Sequence, residues 1–142
     1  MKLQKHPKDC ACSLCADNPA AVDTACALSV SMTIEACCPM REWERRMGAL
    51  FDTLFPYLEV GGVAAGHLKG AICQEEAKLF LSKTVRERID LRRTAAWERQ
   101  DALAQPVVTV NLISIFPVAL TEETLAGIVR NALRSPLDEQ AV

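Results

Sequence analysis

The chain has 142 residues, half of them apolar, with 18 acidic against 16 basic side chains and a net charge of −2. That length is enough for one domain with a core of its own. The charge balance argues against a nucleic-acid partner, which a basic excess would announce, and no apolar run approaches the length of a bilayer span.

Residues 1–24 hold Pro7, Asp9, Asn18, Pro19 and Asp23 and show no sustained helical or strand period. They read as an irregular, cysteine-rich N-terminal segment preceding an α+β domain over 25–142. The opening MKLQKHPKD is basic, but no apolar stretch of signal-peptide length follows it. The expectation is a cytoplasmic chain with reduced thiols, where clustered cysteines point to metal or redox chemistry. The odd total of seven cysteines also argues against a fully paired disulfide framework.

Residues 27–35 alternate. Leu28, Val30, Met32 and Ile34 take one face and Ser29, Ser31, Thr33 and Glu35 the other, which predicts a half-buried strand. A helix follows from Pro39, a residue suited to a first turn. Met40, Trp43, Met47, Leu50, Phe51, Leu54 and Phe55 form its apolar stripe, and Arg41, Glu42, Glu44, Arg45 and Arg46 take the opposite side. Pro56 ends or kinks it. Gly61 and Gly62 mark a turn, and residues 63–72 read as a strand with close backbone approaches at Gly66 and Gly70. Residues 75–99 stay open between two readings. Ala77, Leu81, Val85 and Ile89 lie four apart, as on a helix, yet KLFLS also suits the second strand of a hairpin. Trp97 is expected to anchor that region in the core. Residues 107–116, bounded by Pro106 and Pro117, give the strongest strand pattern. In the last helix Thr121 caps the start, Glu122 and Glu123 occupy the favourable first turn, and Leu120 and Leu125 form a hydrophobic staple. The order predicts an α+β fold with a mainly antiparallel sheet and helices on one face. A ferredoxin-like arrangement is one form of that class.

Four cysteines lie within seventeen residues: Cys10, Cys12 and Cys15 as C-x-C-x-x-C, then Cys26. Thiolates so close in sequence can converge on one ion, giving a closed zinc site or an iron–sulfur cluster. The spacing follows neither the bacterial nor the plant-type ferredoxin run, and redox thiols are the alternative. Cys37 and Cys38 precede the first helix, where unpaired amides and the helix dipole would favour a thiolate; Cys38 could serve as the N-cap. In GGVAAGHLKG, Gly66 and Gly70 would let a ligand approach the backbone, with His67 and Lys69 to contact an anion or move a proton. A nine-residue strand spans about 30 Å, so Cys26 and the Cys37–Cys38 pair cannot share a metal within one protomer.

Three functional readings follow. The first is a small metal-thiolate protein that binds zinc or an iron–sulfur cluster for metal handling, redox transfer or enzyme assembly. The second is a thiol-dependent enzyme in which Cys37 or Cys38 acts with His67 as base. The third is an oligomeric scaffold or accessory protein, as a homodimer or with a protein partner recruited by the N-terminal segment, in which the cysteines are incidental.

Overall fold

Alternation of apolar and hydroxyl side chains makes Ala25–Thr33 the first strand, β1. The computed structural model describes residues 25–134. After β1 come β2 (Cys37–Pro39), α1 (Met40–Leu54), a 3₁₀ turn (Phe55–Leu58), β3 (Glu59–Val60) and β4 (Val63–Ala64). Then follow β5 (Gly66–Gln74), β6 (Ala77–Val85), β7 (Arg88–Arg93), α2 (Ala95–Arg99), β8 (Ala102–Ala104), β9 (Val107–Val118) and α3 (Glu122–Leu133).

Five strands form the main sheet in the order β1-β9-β5-β6-β7, and every neighbouring pair is antiparallel. The expected α+β class with an antiparallel sheet is therefore present. The ferredoxin-like form is not confirmed: β5, β6 and β7 follow one another directly across the sheet, with no helix between them. The last long strand enters between β1 and β5, so the α1 connection passes over it.

One sheet face is apolar: Val30 on β1, Val108, Val110 and Leu112 on β9, Leu68 and Ile72 on β5, and Leu79 and Leu81 on β6 are buried. Trp43, Met47, Leu50, Phe51 and Leu54 of α1, Leu125, Val129 and Leu133 of α3, and Trp97 of α2 close over it in one cluster. Polar ties fix the helices. Trp43 Nε1 donates to Leu103 O at 3.2 Å. Arg93 grips Glu44 with two bonds of 2.7 Å, and Trp97 Nε1 donates to the same carboxylate at 2.9 Å. Among the described residues no helix covers the opposite sheet face.

One open reading is settled here and other expectations change. Residues 75–99 are a hairpin followed by a short helix, not one long helix. Ala77, Leu79 and Leu81 alternate into the core, and a spacing of four fits period two as well as a helical turn. Glu75 adopts φ 54°, which turns the chain between β5 and β6. Pro117 lies inside β9, near the irregular register between Ala25 and Ala27 of β1. Arg46, expected on the solvent side of α1, is only 4% exposed. Its Nη1 donates to Leu133 O at 2.8 Å, satisfying a carbonyl at the end of α3 that the helix leaves open.

Candidate functional site

Cys10, Cys12 and Cys15 lie outside the described residues. Cys26 is the second residue of β1 and is 5% exposed. The register places Ala27 opposite Ile113 and Ile113 opposite His67, so Cys26 and His67 share one end of the sheet. They do not form a site, because Cys26 is buried whereas His67 belongs to the alternating set of β5 residues turned away from the core, with Lys69.

Cys37 and Cys38 mark the other end. They pair with Ala104 and Leu103 in the short β2–β8 ladder. Cys38 is 2% exposed and packs in the core, while Cys37 is exposed. The N-cap of α1 is Pro39 rather than Cys38, and it makes no side-chain capping bond. The Met40 N–H donates to Asp101 O at 3.1 Å, so the helix start is tied to the β8 approach instead of being offered to a thiolate. Cys73 is half-buried on β5, and burial pushes its thiol pKa up, opposed by nearby Lys78.

The structure does not bring the cysteine pair to His67. His67 and Cys73 lie six positions apart on β5, roughly 20 Å at strand rise. Beyond Cys73, the Gln74 side chain donates to Ala104 O at 2.6 Å and accepts from Ala104 N–H at 3.2 Å. Ala104 is the residue paired with Cys37. The close approaches expected at Gly66 and Gly70 are present, and they are to the chain itself. A side chain at Gly66 would meet the backbone of Ile113 and Ser114, and one at Gly70 would meet the Phe51 ring at 2.8 Å. Neither glycine leaves its helix-side space for a ligand. Among the described residues no group of three or more His, Cys, Asp or Glu is placed to hold a metal.

Two features escaped the sequence reading. Lys83 of β6 is 2% exposed; its Nζ donates to Arg86 O at 2.7 Å, lies 3.6 Å from Asp52 and sits 5.1 Å from the Phe55 ring centroid. This ammonium ties the β6–β7 turn to the end of α1. The other feature is a groove between β1 and α3. Ser29, Val30, Ser31 and Met32 form one wall of a cavity of about 350 Å³, facing Glu122, Glu123, Ala126 and Arg130. It is followed by a second of about 230 Å³ between Thr33, Ile34 and Glu35 on one side and Arg130 and Arg134 on the other. Helix and strand thus run alongside, acidic at one end of α3 and basic at the other. The sequence held both charge groups, but nothing local says that α3 borders β1.

Comparison with family models, curated proteins and solved structures found no match. Among the described residues no helix is long and apolar enough to cross a membrane.

Proposed function

We propose that this is a small metal-thiolate accessory protein. Its N-terminal cysteines would hold zinc or an iron–sulfur cluster, and its α+β body would present them to a protein partner in the cytoplasm. The observation that carries the reading is the placement of Cys10, Cys12, Cys15 and Cys26 within seventeen residues, with the last at the entrance to β1. The surroundings of the other cysteines add weight. Cys38 packs as a core residue and Cys73 has a raised thiol pKa, both expected of small apolar side chains rather than reactive thiolates. The separation of His67 from Cys37 and Cys38 lowers the claim of the thiol-enzyme reading.

Closed thiolate sites take four ligands around zinc at about 2.3 Å, or share them among cluster irons. The test is metal and sulfide content, with the absorption spectrum, of full-length protein purified anaerobically without chelator or tag. Stoichiometric zinc, or iron with sulfide, is expected, and should be lost in the Cys12→Ser/Cys15→Ser variant while far-ultraviolet circular dichroism holds. A metal-free, colourless protein with all its thiols titratable would overturn the reading. An oligomeric scaffold is the second reading, favoured by the edge of β1, which has no second strand beside it among the described residues.

A further inference from the structure

In the five-stranded order β1 has β9 on one side and no described strand on the other. The register identifies the backbone groups left over. Ile34 N–H donates to Pro106 O at 2.9 Å, continuing the β1–β9 pairing in which Thr33 faces Val107. Successive residues of an antiparallel strand turn their N–H and C=O to opposite sides. Val30 and Met32 therefore face β9, and Ser29, Ser31 and Thr33 turn their backbone groups outward.

The two edges of the sheet differ. β7, sequence RIDLRR, carries charges along its length, one of the devices by which soluble proteins blunt an edge strand. β1, sequence ACALSVSMT, has neither a charged residue nor a proline. Such an edge is a template for another strand. Beside it α3 runs from Glu122 and Glu123 to Arg130, with Arg134 just past its last residue, and these groups line the groove.

We propose that β1 pairs antiparallel with β1 of a second copy about a two-fold axis, joining two sheets into one. Antiparallel pairing of identical strands is the contact that a two-fold axis generates, with one patch serving both subunits. The same rotation turns α3 end for end. It sets Glu122 and Glu123 toward Arg130 and Arg134 of the partner subunit, twice per dimer. A parallel partner would set like charges together. The charge order along α3 thus complements itself only in the arrangement that the strand edge also favours. This inference stands independently of the metal reading.

The test is sedimentation analysis of the full chain at micromolar concentration, at low and high salt. A dimer is expected. Ser31→Pro removes an outward N–H together with the Ser31–Thr109 hydroxyl hydrogen bond, and should yield monomer that keeps the wild-type far-ultraviolet circular dichroism. Two charge variants keep the test decisive if that proline disturbs the strand. Glu122→Arg/Glu123→Arg alone and Arg130→Glu/Arg134→Glu alone should each dimerise about tenfold or more weakly, and an equimolar mixture should recover dimer. A monomeric wild type overturns the proposal. Should its Ser29, Ser31 and Thr33 amides nonetheless exchange slowly, the edge belongs to another segment of the same chain. A dimer indifferent to Ser31→Pro, with charge variants that do not complement each other, overturns it as well.

Discussion

Gly66 and Gly70 show how one missing side chain positions a whole layer. The Phe51 ring of α1 lies where a Gly70 side chain would be, so the helix settles close to the centre of the sheet. Gly70→Ala forces ring and strand apart and is expected to cost about 1–3 kcal/mol in urea unfolding, as overpacking does. Gly66→Ala should cost more, because Ile113 and Ser114 offer backbone and not a movable ring. Gly48 is the contrast: nothing stands within 4 Å of its would-be side chain in the middle of α1. Gly48→Ala should therefore stabilise the fold by roughly 0.5–1 kcal/mol through helix propensity. The sequence flagged close approaches at two of these glycines, but the approaching group is identified only by the register of β9 and the seating of α1.

On α1, two glutamates are held by ion pairs, Glu42 within the helix and Glu44 across to β7. Hydrogen bonds from Arg45 and Arg46 lower the Glu42 pKa to about 2. The Arg93 guanidinium lowers that of Glu44, with Trp97 adding a bond. Both folded-state values lie below the ordinary value of 4.5. The unfolded chain therefore takes up protons first, and the stability these groups supply is present above 4.5 and lost as pH falls toward the folded values. The urea midpoint is expected to decline from pH 4.5 toward about 2, the window set by Glu42. Glu44→Gln should lower the midpoint at neutral pH and flatten part of that decline. A midpoint insensitive to pH in this range would count against both clamps. Glu42 was legible as part of a charged flank, since Arg45 and Arg46 follow at helical spacing. The Glu44–Arg93–Trp97 cluster was not, because it joins α1 to β7 and α2 across about fifty residues.

For the whole molecule, strand order sets the ranking of local stability. β9 and β5 have neighbours on both sides in the sheet centre, while β7 lies at the edge and β3–β4 is a two-residue ladder. Hydrogen exchange should be slowest in β9 and β5 and fastest in β3–β4 and β7. If β1 is covered by a second copy, the outward amides of Ser29, Ser31 and Thr33 should slow as protein concentration rises. Fast, concentration-independent exchange there would weigh against that assembly. Local pattern sufficed for β1, α1, β9 and the capped start of α3, because alternation, helical spacing and a capping threonine act over a few residues. It also marked the thiols of the N-terminal segment, a matter of composition and spacing alone. The hairpin over 77–93, the burial of Arg46 and Lys83, the distance between His67 and the Cys37–Cys38 pair, and the place of β1 at the edge of the described sheet beside α3 waited on the packed molecule. Each depends on which strands become neighbours, and that is settled by burying every apolar face at once rather than by any short stretch of chain.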